Sequence, residues 1–94
     1  MTVYTIASIE VTDPDAYAEY ARLSGAAVAR FGGKFLVRGG TYEVMEGHAR
    51  SRNVIIEWPD MATAKAFYNS PDYQRALAHG LPAARRDYIF VEGV

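Results

Sequence analysis

The succession of strand-like and helix-like segments predicts an α+β fold of the ferredoxin-like type, β-α-β-β-α-(α)-β, with a four-stranded antiparallel sheet. Three observations lead there. Two cap-then-proline signals, Asp13-Pro14 and Ser70-Pro71, open helical patterns between strand-like runs. Those runs are rich in β-branched residues and carry apolar side chains on both alternating faces. The chain has 94 residues, 50% of them hydrophobic and 22% charged, a globular composition of a size that predicts one domain over residues 1–94.

Val3 to Val11 (VYTIASIEV) alternates as a strand, with Tyr4 and Ile6 on one side and Val3, Ala7, Ile9 and Val11 on the other. Asp13 then offers a carboxylate to the unpaired amides of a helix start, Pro14 fits its first turn, and Asp15 meets the positive end of the dipole. Tyr17, Tyr20, Ala21, Ser24, Ala27, Val28 and Phe31 recur at helical spacing, and Gly32-Gly33 ends a first helix spanning about 14–31. Lys34–Arg38 and Thr41–Glu46 read as strand, and Gly39-Gly40 between them predicts a bend in one long strand. Gly47–Arg52 is a polar reversal before the strand Asn53–Trp58. Pro59-Asp60 opens a second helix, whose small and aromatic face is Ala62, Ala64, Ala66, Phe67 and Tyr68. Ser70-Pro71-Asp72 opens a short third helix over about 71–79. Arg86–Glu92 is the last strand.

Helices in this order can cover one sheet face only. Yet Val54, Ile56 and Trp58 alternate with Ile55, and Tyr88 and Phe90 alternate with Ile89 and Val91. A lone protomer would leave an apolar sheet face in water, which predicts a homodimer joined through that face as a dimeric α/β barrel. The net charge of −1 removes the electrostatic basis for non-specific nucleic-acid binding. With no cysteine, thiol chemistry, cysteine zinc ligation and iron–sulfur ligation are excluded. The two histidines have no metal-ligand spacing, and no Walker loop, G-x-S-x-G elbow or G-x-G-x-x-G occurs, so no metal and no cofactor is expected. No apolar run approaches the ~20 residues that cross a bilayer, and the opening residues carry no leader pattern, so the expected place is the cytoplasm and no membrane partner is expected.

Taken together, Asp13-Pro14, Gly32-Gly33-Lys34-Phe35-Leu36-Val37-Arg38-Gly39-Gly40, Glu46-Gly47, Val54-Ile55-Ile56-Glu57-Trp58-Pro59, Ser70-Pro71-Asp72-Tyr73-Gln74 and Val91-Glu92-Gly93 resemble a bacterial family, the domain of unknown function numbered 1330. The resemblance runs over roughly Tyr4 to Gly93. It implies a dimeric α/β-barrel fold and a dimer. Distant relatives of that family include cofactor-independent quinone-forming monooxygenases, haem-degrading enzymes and small lactone or muconolactone isomerases. Such proteins often carry an arginine after the Ser-Pro-x-Tyr-Gln helix, where this chain has Gly80. An anion site built on that arginine is therefore in question here.

Four residues stand out as candidates for a ligand pocket: Tyr20, Arg38, Tyr68 and His79. Arg38 ends an apolar strand, and its guanidinium can hold a carboxylate or enolate oxygen with two parallel bonds. The structural alternative is an ion pair with Glu57 or Asp87. Tyr20 and Tyr68 lie on the inward faces of their helices and offer aromatic area with one hydroxyl each, suited to an unsaturated ring or, equally, to core packing. His79 closes the third helix beside Gly80, where it would replace the missing arginine or simply meet the negative dipole end. His48 falls in the polar reversal and is expected in solvent.

Three functions remain open on these residues. One is a metal-free enzyme, monooxygenase- or isomerase-like, in which Arg38 and His79 stabilise or protonate an enolate-like oxygen. The second is a module that binds a small apolar or aromatic metabolite between helices and sheet without catalysis. The third is a structural or interaction dimer.

Overall fold

Strands β1 (Val3–Val11), β2 (Lys34–Arg38), β3 (Arg52–Trp58) and β4 (Ala84–Glu92) form one sheet in the order β2-β3-β1-β4, every neighbouring pair antiparallel. A computed structural model describes residues 1–94. With helices α1 (Pro14–Arg30), α2 (Met61–Tyr68) and α3 (Pro71–Gly80), the architecture is the α+β ferredoxin-like fold.

Local chemistry sets the helix ends. The Asp13 carboxylate accepts from the Ala16 amide at 3.2 Å, that of Asp60 from Thr63 at 2.7 Å, and the Ser70 hydroxyl from Tyr73 at 3.1 Å. At the far end of α1, the Gly33 amide donates to the Val28 carbonyl and the Gly32 amide to that of Ala29. This pair of bonds satisfies carbonyls that the last turn would otherwise leave open.

The strand parity places the core. On β1, Val3, Thr5, Ala7 and Ile9 are buried against the helices, while Ile6 and Glu10 are exposed on the other side. On β3, Val54, Ile56 and Trp58 are buried. Trp58 and Thr5 are both fully enclosed, and the indole N–H donates to the Thr5 hydroxyl at 2.9 Å, so each satisfies the other's polar group. The Phe67 ring lies between Trp58 and Tyr73, with centroids 4.7 and 4.4 Å away. Tyr68 continues this aromatic series toward Tyr88 and Phe90.

The opposite sheet face carries an apolar row. Cross-strand register puts Val37 beside Ile55, Ile55 beside Ile6, and Ile6 beside Ile89. The row crosses all four strands and nothing in the protomer covers it: Ile89 is 53% exposed and Ile6 43%.

Four expectations are corrected. Thr41–Glu46 is not a strand. Gly39 sits at φ +67 and donates its amide to the Asn53 carbonyl at 2.9 Å, which closes the β2–β3 ladder. Beyond it β2 is an edge with no neighbour, and strand propensity without a partner leaves Tyr42, Val44 and Met45 exposed. The bend falls instead inside β2, as a bulge between Phe35 and Val37. That bulge shifts the alternation, so Phe35 and Arg38 both face the helices although three positions separate them. Arg38 therefore does not meet Glu57 or Asp87, which lie on the opposite face. Asp87 pairs with Arg50 at 2.9 Å, and Glu57 stands opposite Lys34 and Tyr4 in the register. Finally, only Ala64 and Phe67 of α2 are buried, and Ala62 and Ala66 face solvent.

Candidate functional site

A cleft opens between α1 and the sheet. Tyr17, Tyr20 and Ser24 line it from α1, Phe35 and Arg38 from β2, Arg52 from β3, and Arg86 and Tyr88 from β4. Aliphatic side chains of β1 and β3 form its floor. It holds about 340 Å³ counting its mouth, but the centre of a water molecule reaches only about 20 Å³ of this. As it stands the cleft admits about one water. Arg38 at its mouth is exposed, rests on the Phe35 ring at 4.1 Å and reaches the Ala21 carbonyl only at 3.5 Å.

The inner end is held more firmly. The Arg86 Nη2 donates to the Tyr20 hydroxyl at 2.6 Å and to the Tyr73 hydroxyl at 3.1 Å, and these two hydroxyls lie 2.8 Å apart. The guanidinium also lies 4.6 Å from the Tyr20 ring centroid and 5.2 Å from that of Tyr88. Burial works against its charge, but the oxygens of Tyr20 and Tyr73 hold it, and Arg86 stays cationic. Burial raises the ionisation of Tyr17, Tyr73 and Tyr88 above the usual tyrosine range, and the neighbouring Tyr20 raises each further. All three phenols are therefore hydrogen-bond donors at neutral pH.

Four buried side-chain polar atoms make no hydrogen bond of good geometry: the Tyr17 hydroxyl, which lies near Arg86, the Tyr88 hydroxyl, which lies near Thr5 and Tyr73, and the Nε atoms of Arg52 and Arg86. All four belong to residues of this one cleft. Buried polar groups without partners cost free energy and are rare, and here they gather in one place.

Of the residues expected to form the pocket, Tyr20 and Arg38 line this cleft, whereas Tyr68 and His79 lie outside it. Tyr68 is taken up by aromatic packing on Tyr73, Tyr88 and Phe90. His79 is exposed on the last turn of α3, and α2 contributes nothing to the lining. The α3 backbone at Gly80 presses on the Tyr20 ring, where an added β-carbon would stand 2.5 Å from Cδ1. No long side chain fits there unless Tyr20 moves. The inner cation comes from Arg86 on β4, not from the end of α3.

A family model described as a domain of unknown function (DUF1330) matches residues 2–94. The chain belongs to the DUF1330 family. This DUF1330 chain is similar in structure to a protein of unknown function from Rhodopseudomonas palustris, at 22% identity and a TM-score of 0.80, over 99% of this chain and 82% of that one. It is also similar to a protein from Jannaschia sp. CCS1 described as a dimeric ferredoxin-like protein of unknown function. There the identity is 14% and the TM-score 0.81, over 99% and 100% of the two chains. A third is SnoaB, a cofactor-independent oxygenase from Streptomyces nogalater, at 14% identity and a TM-score of 0.67, over 99% and 93%. At these identities the likeness is one of fold. No curated protein matches the chain.

Arg52 and Arg86 were not among the residues expected in this DUF1330 site, yet the chain carries a signal for both. Arg52 shares parity with Val54, Ile56 and Trp58, and Arg86 with Tyr88 and Phe90. A charged residue on the core-facing parity of a strand must either find a partner or line a cavity.

Proposed function

We propose that the protein is a homodimer that binds a small apolar or aromatic metabolite in the cleft between α1 and the sheet. The observation that carries this reading is the convergence of all four partnerless buried polar atoms on one aromatic-walled cleft. Such a cleft offers apolar walls for a ring and a few fixed polar groups for orientation. Tyr20 and Arg38 serve as lining groups, Arg38 at the mouth. The dimer reading rests on the uncovered row Val37–Ile55–Ile6–Ile89 and on the description of the Jannaschia protein as dimeric.

Between catalysis and binding, the lining favours binding. No carboxylate, imidazole or lysine amine lines the cleft, and burial keeps the protons on the Tyr17 and Tyr88 phenols. An isomerase-like or monooxygenase-like role for Arg38 and His79 would need both at one ligand, and His79 is outside. Native mass spectrometry of the purified protein tests the reading. A dimer mass carrying a co-purified small molecule is expected. A monomer, or a dimer in which no aromatic probe shifts the amide resonances of Tyr17, Tyr20 and Arg86, would overturn it.

A further inference from the structure

We infer that the cleft takes its ligand as an anion, a planar carboxylate, with the carboxylate directed inward at Arg86 and Arg52. The inference rests on the cleft being a small-molecule site and names the chemistry it selects.

Three guanidinium groups, Arg38, Arg52 and Arg86, line one cleft, and no Asp or Glu lines it. Outside the cleft Arg85 has no carboxylate partner, but it is exposed to solvent, and the other arginines there are paired. Arg22, Arg30, Arg50 and Arg75 each pair with a carboxylate. The three cleft arginines have no carboxylate partner, in a chain whose net charge is −1. Concentrating unpaired cations at a partly buried place is costly unless an anion completes it.

The free groups also define the shape of what is missing. The Nε–H groups of Arg52 and Arg86 are donors only, and the buried hydroxyls of Tyr17 and Tyr88 have donors to spare. Their natural complement is a group that only accepts, with several lone pairs. One water accepts at most two bonds and carries no charge, so it leaves part of the set unmet. The Nη2 of Arg86 is already committed to Tyr20 and Tyr73, which holds the guanidinium in place and leaves its Nε–H unpaired. The Tyr20 and Tyr88 rings flank that guanidinium, making the inner end a slot with aromatic walls. A carboxylate supplies two oxygens that only accept, and its flat shape suits the aromatic walls beside them.

The test titrates the purified protein with benzoate, with benzamide as its neutral isostere, and with inorganic phosphate. Amide and arginine Nε–H resonances are followed by NMR. Benzoate is expected to bind at least tenfold more tightly than benzamide, to shift the Nε–H signals of Arg52 and Arg86, and to tighten as salt is lowered. Arg52→Gln should weaken benzoate at least tenfold with little change in melting temperature, and Arg86→Met should act in the same direction. Equal affinity for benzoate and benzamide overturns the anion inference and leaves the small-molecule reading standing. Stronger binding of phosphate than of benzoate overturns the planar carboxylate. Benzoate binding that survives Arg52→Gln and Arg86→Met overturns the assigned anchor. Failure of both benzoate and benzamide to move any cleft resonance overturns the inference and the small-molecule reading together.

Discussion

The guanidinium of Arg86 and the hydroxyl of Tyr20 meet at 2.6 Å across 66 residues of sequence, joining the last strand to the first helix. The cation in this contact is partly buried and has no carboxylate beside it, so the contact organises the cleft at an energetic cost.

Arg86→Met is expected to leave the protein folded and, without ligand, to raise its stability by about 1 kcal/mol, because an apolar chain of similar length replaces a buried unpaired charge. The Tyr20 and Tyr73 hydroxyls keep each other as partners at 2.8 Å. Urea denaturation measures the sign. A marked loss of stability would mean that the two phenol bonds outweigh the burial of the charge.

Ile6 is the position on the open sheet face with isoleucine neighbours on both sides, Ile55 and Ile89. Ile6→Lys should split the proposed dimer into folded monomers, since it places an unpaired charge from each protomer in an apolar interface. Sedimentation with far-UV circular dichroism checks both halves of this outcome.

The two proline-linked caps should differ in weight. Asp13 is exposed, and Asp13→Ala should cost about 1 kcal/mol. Ser70 is buried, accepts from the Tyr73 amide and donates to the Phe67 carbonyl at 2.7 Å. Ser70→Ala should cost about 2 kcal/mol, because it strands buried partners. Equal shifts in the denaturation midpoint would contradict this difference.

Gly80→Ala should destabilise by roughly 1–3 kcal/mol, since the new methyl meets the Tyr20 ring, which Tyr73 and Arg86 hold in place. Gly25→Ala should be much milder. There the nearest atom is the Arg38 Nη2, the far end of a flexible side chain, so the expected effect is a displaced Arg38. Thermal melts of the two variants compare them directly.

The phenols of Tyr17, Tyr73 and Tyr88 have pKa values raised by burial, so their protonated forms stabilise the native state. That contribution is complete below the unfolded tyrosine value of about 10 and is lost as pH rises beyond it. Stability should fall above about pH 10, with phenolate absorbance from these residues appearing together with the loss of near-UV circular dichroism. Ionisation of all seven tyrosines while the native signal persists would contradict the burial of these three.

What the chain determined by itself acts over a few residues. A capping oxygen reaches an amide three positions on, and alternation assigns a strand side chain to one face. Asp13, Ser70, the stop at Gly32-Gly33 and the two-faced strands were legible for that reason, and the order of elements followed. Tertiary structure alone decided three other matters. Thr41–Glu46 has strand chemistry but no neighbour, and a strand exists only by pairing. Arg38 changed faces because a single bulge in β2 resets parity for everything after it. The cleft itself depends on α1, α3 and β4 bringing Tyr20, Tyr73 and Arg86 together, residues separated by 53 and 66 positions. No local rule encodes that meeting, because it is set by register and by the packing of helices on one side of the sheet.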